Sequence, residues 1–207
     1  MTERVAALEG VRVDEDGVVV IGDVFFEVAA GEMVGIVGPS GSGKTTLLNV
    51  LLGLRAVDAG TVAAPSLGGD RGWRDVAFVP QALGLVPELT VADNVRLPLV
   101  LSRRTADDEA GVLASLALVH LCARRASEIS LGEQQRVAVA RALVCGAGLV
   151  VADEPTAHQD AVNAERVASA LASAARAGRA VVVATHDVAL SAACTRLVTL
   201  HAGRVVR

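Results

Sequence analysis

Residues 38–46 read GPSGSGKTT, and no other stretch limits the fold as tightly. From Gly38 to Thr45 the spacing is G-x-x-x-x-G-K-[ST], and the motif's required context is present on both sides. Before it, EMVGIVG (32–38) is an apolar run ending in glycine, which predicts a buried strand. After it, KTTLLNVLLGL predicts an apolar helix ending near Gly53. Gly38, Gly41 and Gly43, with Pro39, Ser40 and Ser42 between them, let backbone N–H groups turn inward around phosphates. The helix N-terminus adds the positive end of its dipole. Lys44 then reaches the β and γ phosphates as a compact charge, while the hydroxyl of Thr45, followed by Thr46, is placed to ligate magnesium. Lys44 is the only lysine in the chain. A planar guanidinium would not fit the cradle equally well, which explains one lysine in a chain otherwise served by arginine. A chance glycine turn is the competing reading, and the strand and helix around it argue against that.

The 207 residues suffice for one domain, or for a core with a smaller inserted lobe. Hydrophobic residues make up 52% and the mean hydropathy is +0.49, high enough to require a search for a membrane span. The longest apolar run, ALVCGAGLVVA (142–152), is bounded by Arg141 and Asp153 and is too short. It reads instead as a helix end followed by a buried strand. The N-terminal MTERVAALEG has an early acid and no apolar stretch of signal length, so secretion is not expected. A net charge of -4 and pI near 5.6 argue against a general grip on nucleic acid, and none is expected as a partner. The basic pairs Arg103/Arg104 and Arg124/Arg125 read as solvated helix faces. Cys122, Cys145 and Cys194 are odd in number and far apart, and read as reduced, mostly buried thiols of a cytosolic protein.

Along the chain, alternation in the first thirty residues predicts short antiparallel strands. A loop-rich segment follows at 58–73, then a strand at DVAFVP. Between about 87 and 146 the pattern is helical, with capping-box spacing at Thr90/Asp93 and again at Thr105/Asp108. LVVADEP (149–155), a helix near 160–176, AVVVATHD (180–187), a further helix and two short terminal strands complete the order. Apolar strands alternating with helices imply a parallel sheet covered on both faces. The expected architecture is α/β: residues 1–86 and 147–207 form a core with an N-terminal antiparallel β subdomain, and 87–146 form an inserted helical lobe. LVVADEP ends in two acids; Asp153 can hold Mg²⁺ through water and Glu154 can polarise an attacking water. Alone, such a pair is more often a solvated strand end, but downstream of a phosphate cradle it carries weight.

At ISLGEQQRVAVARAL (129–143) the sequence closely resembles the LSGGQ signature of the ATP-binding-cassette (ABC) ATPases, a branch of the P-loop NTPases. Other elements follow in that family's order: Gln81 in FVPQ matches the Q-loop, Asp160 in EPTAHQD the D-loop aspartate, and His186 in VVVATHD the switch histidine. LVPELTVADNVRLPL (85–99) resembles cassettes of the lipoprotein-release, macrolide-export and cell-division class. The resemblance implies a single ABC ATPase domain that hydrolyses MgATP. Two such subunits, identical or different, would sandwich two ATP molecules head to tail and drive a separately encoded transmembrane permease. It implies that Glu154 is the general base, that His186 contacts the γ-phosphate, and that Gln81 senses the γ-phosphate, Mg²⁺ and water while linking to the permease. Ser130, Gly132, Glu133 and Asp160 would complete the other subunit's ATP site. A cytoplasmic location, peripheral at the inner face of the membrane, follows. Two other readings stay open: a soluble ABC ATPase outside transport, and a regulatory or impaired half of a heterodimeric pair.

The sequence departs from the family pattern in three places. Leu131 stands where the first signature glycine is usual. The loop VRVDEDG (11–17) lacks the aromatic that commonly stacks on adenine, leaving Val13 for apolar contact, with Phe25 and Phe26 expected to be buried in the next strand. The stretch from Lys44 to Gln81 is short for the subfamily. A leucine side chain at 131 restricts how closely backbone and nucleotide approach. Leu131→Gly should therefore raise the ATPase rate at saturating ATP, and an unchanged or lower rate would count against this reading.

Overall fold

A computed structural model describes residues 3–65, 75–106 and 108–206. Its centre is a six-stranded sheet ordered β5-β6-β7-β3-β8-β9. The strands are β3 (Met33–Val37), β5 (Val76–Val79), β6 (Leu149–Asp153), β7 (Ala180–Ala184), β8 (Arg196–His201) and β9 (Arg204–Val206). All neighbours pair in parallel except β8 and β9. A second sheet, β2-β1-β4, is antiparallel and consists of β1 (Arg4–Glu15), β2 (Val18–Ala29) and β4 (Ala59–Ala63). The helices are α1 (Lys44–Leu51), α2 (Val91–Ser102), α3 (Glu109–Ser115), α4 (Leu131–Val144), α5 (Ala161–Arg176) and α6 (Val188–Ala193). This is the α/β architecture read from the sequence.

The continuous apolar runs in β6 and β7 are explained by what covers them. Successive side chains in a strand point to opposite faces. Val34, Ile36, Val151, Val182 and Ala184 pack with Leu47, Leu48 and Leu51 of α1 and with Val11, Val13 and Ile21 of the antiparallel sheet. Met33, Val150, Ala152, Val181 and Val183 pack instead with Val137, Val139 and Leu143 of α4 and with Val167 and Leu171 of α5. Both faces of the parallel strands are dry, so no polar alternation survives in them.

Local details differ from the sequence reading for simple reasons. The first two strands are twelve residues each, not short, and they accommodate their length by register shifts between Leu8 and Val11 and between Val13 and Asp14. Thr90 caps α2, accepting from Asp93 N at 3.1 Å, as its spacing predicts. The cap of α3 is Asp108 rather than Thr105: the helix starts at Glu109, with the Asp108 carboxylate accepting from Gly111 N at 2.8 Å. The 58–73 segment contributes exposed β4 at Ala59–Ala63, and lies outside the described residues from 66 onward. All three cysteines are free. Cys145 is fully buried, the other two partly, and burial pushes the thiols of Cys145 and Cys194 up to about 11.

The irregular segment after β5 is fixed by two side chains from the helical region. Asn94 of α2 is wholly buried; its Oδ1 accepts from Val86 N at 2.8 Å, and its Nδ2 donates to the carbonyls of Val86, Leu89 and Thr90. Arg141 of α4 donates to the Leu83 and Gly84 carbonyls, each at 2.6 Å. Together they stand in for the ladder bonds a strand would have supplied. Asn94→Ala removes four hydrogen bonds to backbone groups of Val86, Leu89 and Thr90, leaving the Val86 N–H without its acceptor, and should destabilise the fold by about 2–3 kcal/mol in denaturant melts. A loss well below 1 kcal/mol would show that the segment is held elsewhere.

Candidate functional site

β3 ends at Val37 and the chain turns through Gly38 (φ 155°), Gly41 (φ 76°) and Gly43 (φ 99°) into α1. Side chains would be excluded at two of these by contact as well as by dihedral. A methyl group at Gly38 would overlap the Leu200 carbonyl oxygen, and one at Gly43 would lie 3.0 Å from the Val20 carbonyl. Gly43 caps α1 with no side-chain hydrogen bond, and no acid lies in the first turn, so the amides there have no competing carboxylate. The Lys44 ammonium folds back to donate to the carbonyls of Gly38 at 2.9 Å and Pro39 at 3.1 Å. An ammonium has three donors, so the grip that fixes the loop leaves one for a ligand.

Next to Lys44, the Thr45 hydroxyl donates to Asp153 Oδ2 at 2.7 Å. Asp153 is 3% exposed at the end of β6, and burial pushes its carboxyl above the ordinary range, with the neighbouring Glu154 adding to the shift. The Thr45 hydrogen bond and the Lys44 charge oppose it. Glu154 leaves the strand with φ 49°, a left-handed conformation unusual for a glutamate, while its N–H donates to Ala184 O at 2.9 Å. Its Oε2 lies 2.9 Å from His186 Nδ1 and accepts from the His186 backbone N at 3.4 Å. His186 follows β7, the neighbour of β6 in the sheet, so strand order alone sets the two carboxylates and the imidazole on one edge of the cradle.

These groups line one cleft of about 560 Å³, within the ~300–1,000 Å³ of ligand sites. It brings together Gly38, Pro39, Ser40, Gly41, Gly43, Lys44, Thr45 and Thr46 with Gln81, Asp153, Glu154 and His186. Ser42 lies beneath it, 3% exposed, its hydroxyl without a hydrogen-bond partner among the described residues. A larger cleft of about 680 Å³ beside α3 and α5 gathers none of these groups, and its mixed charges, Asp108, Glu165, Arg166 and Arg179, define no comparable anion site.

Ser130, Gly132, Glu133 and Asp160 do not line the cradle. Ser130 and Glu133 form a capping box at the start of α4: Ser130 N and Oγ both donate to Glu133 Oε2 at 2.8 Å, and these bonds hold the Glu133 carboxyl below its usual range. Asp160 caps α5, accepting from Asn163 N at 2.8 Å, and that bond holds its carboxyl low. Leu131, at the same helix end as Ser130, is 48% exposed.

The adenine-side expectation needs correction. Val13 is fully buried in the core and cannot contact a ligand; the cleft residue from the antiparallel sheet is Val20 of β2. Phe26 is buried but Phe25 is 64% exposed, because adjacent strand residues face opposite ways. No phenylalanine among the described residues lines the cleft. Asn94 and Arg141, which hold the segment after Gln81, were not singled out from the sequence, since the backbone groups they bond can be supplied by any residue.

A glycine cradle between a parallel strand and a helix, with two acids at the end of a parallel strand two places away in the same sheet, defines a nucleotide-binding α/β protein of the P-loop class. The ABC transporter family model matches residues 21–157. The lipoprotein-releasing system ATP-binding protein LolD of Pseudomonas syringae pv. tomato is 40% identical over 206 residues, covering 92% of this chain and 90% of that one. The macrolide export ATP-binding/permease protein MacB of Chromobacterium violaceum is 36% identical, covering 93% of this chain but 32% of that longer protein. Among solved structures, the dimeric bacterial ABC transporter cassette MJ0796 superposes with TM-score 0.86 at 31% identity, covering 98% and 97% of the two chains. Its post-hydrolysis dimer bound to ADP and Pi gives 0.85 at 32%, again covering 98% and 97%. The chain belongs to the ABC transporter family, as an ATP-binding, ATP-hydrolysing cassette.

A nucleotide base resting against Val20, with no phenylalanine among the described residues lining the cleft, would have no such ring to stack on and little means of distinguishing adenine from guanine. ATP and GTP should compete for a fluorescent nucleotide with dissociation constants within about ten-fold, a difference under roughly 1.4 kcal/mol. A strong preference for ATP would contradict it.

Proposed function

We propose that this chain is the ATPase subunit of a transporter, pairing with a second cassette around two MgATP and driving a separately encoded membrane permease. One observation carries the reading: the cleft holds the phosphate cradle, both acids and the histidine, whereas Ser130, Gly132 and Glu133 lie outside it. A second chain presenting its own α4 N-terminus would complete the site with helix-end amides and the Ser130 hydroxyl. The dimeric architecture of MJ0796, to which the chain is similar, supports this pairing. The names of LolD and MacB support a transport role, and MacB joins an ATP-binding part to a permease. No helix among the described residues is long and apolar enough to cross a membrane, so a transport path in this reading comes from the permease, which would hold the subunit at the inner membrane face.

The residues present fit Mg²⁺. Thr45 and Asp153 form a hard-oxygen pair at the end of the cradle, with Gln81 opposite. Magnesium is usually held by one or two carboxylates plus substrate phosphates, not by an all-protein cage. Bound there, it supplies charge neutralisation on the phosphates. Lys44 and the loop amides bind the triphosphate, and His186 contacts its terminal group. Glu154 accepts the proton of the attacking water. The left-handed turn at Glu154 and its contact with His186 hold the carboxylate at the cradle's edge instead of letting it swing into solvent.

A second reading, an impaired member of a heterodimeric pair, is favoured by one observation, the exposed Leu131 at the start of α4. Glu154→Gln separates the two. In the catalytic reading it retains ATP binding, loses about 100-fold or more in turnover, and forms an ATP-stabilised dimer visible by light scattering. A chain that stays monomeric at millimolar ATP would rule out the homodimer.

A further inference from the structure

The turn that follows Glu154 is tied at its far end to the first turns of α4. Gln159 Nε2 donates to the Gly132 carbonyl at 2.7 Å, and Gln159 Oε1 accepts from Arg136 Nη1 at 3.0 Å. Positions 132 and 136 are one helical turn apart, on one face of α4, so a single side chain spans them with both ends of its amide. The contact is close as well as hydrogen-bonded: a Cβ on Gly132 would stand 2.8 Å from the His158 carbonyl. Arg136 is 7% exposed and is itself anchored, donating from Nε to the Leu116 carbonyl at 3.1 Å, just past α3.

The linkage from Gln159 back to Glu154 has little slack. Gln159 N donates to Thr156 O at 3.2 Å and Ala157 N to Glu154 O at 3.0 Å, while Glu154 N is held by Ala184 O at 2.9 Å. Glu154 and His158 both adopt left-handed conformations, at φ 49° and 61°, without being glycine. Such residues persist only where the surroundings over-determine them. A shift of the first turn of α4 therefore reaches the Glu154 backbone through five residues with few free dihedrals.

We propose that Gln159 is a positioning residue for hydrolysis, coupling the start of α4 to the carboxylate of Glu154. Arg136 serves as the brace that keeps the Gln159 amide on the helix. The inference rests on the reading of Glu154 as the base. Within it, engagement of the α4 N-terminus by a second subunit's nucleotide would be felt at the same chain's own Glu154, linking the two sites of a pair.

The test is steady-state and single-turnover ATP hydrolysis by the full chain, with ATP affinity and melting temperature measured alongside. Gln159→Leu removes both bonds. Gln159→Glu keeps an acceptor for Arg136 but sets a carboxylate against the Gly132 carbonyl, which provides a second test if the leucine variant folds poorly. Both should lower kcat by about 10- to 100-fold with ATP affinity unchanged. In a Glu154→Gln background, either substitution should lower the residual single-turnover rate no further. Retained kcat in both variants, loss of ATP affinity in step with kcat, or multiplicative losses in the double variants would each overturn the proposal. An inactive wild-type chain would overturn the hydrolytic reading and this role together, whereas an active wild type insensitive to Gln159 overturns only the latter.

Discussion

The turn between β3 and α1 is the constraint on which the rest of the structure depends. Three glycines at positive φ and the Lys44 ammonium, bonded to the carbonyls of Gly38 and Pro39, hold the loop in one conformation. The loop has no room to relax: Gly38 is pressed against the Leu200 carbonyl and Gly43 against Val20. β8 and β2 are thereby walls of the cradle as well as members of their sheets. β3 lies between β7 and β8, so any shift of the sheet is transmitted to the phosphate site.

The same sheet sets the chemistry around the cradle. Parallel pairing of β6 with β7 brings Asp153 opposite Ala184, and Glu154, one residue on, meets His186, two residues past Ala184, at 2.9 Å. The helical region acts on this centre through side chains rather than strands. Asn94 and Arg141 hold the segment after Gln81, and Gln159 with Arg136 joins the turn beyond Glu154 to α4. Each of these bonds ends on a backbone carbonyl or amide or on a buried guanidinium, a geometry that ties elements together without large buried area.

What could be read from the sequence alone followed from local spacing. Lys44, Thr45, Asp153 and the strand–helix order are readable because a glycine cradle and a buried parallel strand each impose a continuous pattern on the chain. The Ser130 cap is readable because its glutamate partner lies three residues on. Thr105 has the same spacing but loses to Asp108, whose carboxylate reaches the helix amides from one turn closer. Phe25 cannot share the buried face with Phe26 because neighbouring strand residues point to opposite sides, and Val13 lies on the core face with Val11, so neither reaches the cleft. Arg141, Gln159 and Arg136 were invisible for a different reason, since their partners lie far along the chain, and Asn94 because any residue can supply the backbone groups it bonds. The family resemblance assigns Ser130 and Lys44 to facing subunits, and in the folded chain Ser130 caps α4 outside the cleft that holds Lys44.

That separation is the central claim, and mixing of two inactive variants tests it most directly. Lys44→Ala disables the cradle and Ser130→Arg disables the α4 N-terminus; ATP hydrolysis would be measured for each alone and for the mixture. If each site is built from one chain's cradle and the other's α4, the mixture contains dimers with one intact site, and hydrolysis returns although neither variant alone is active. A mixture as inactive as its components, with mixed dimers shown to form, would contradict the account.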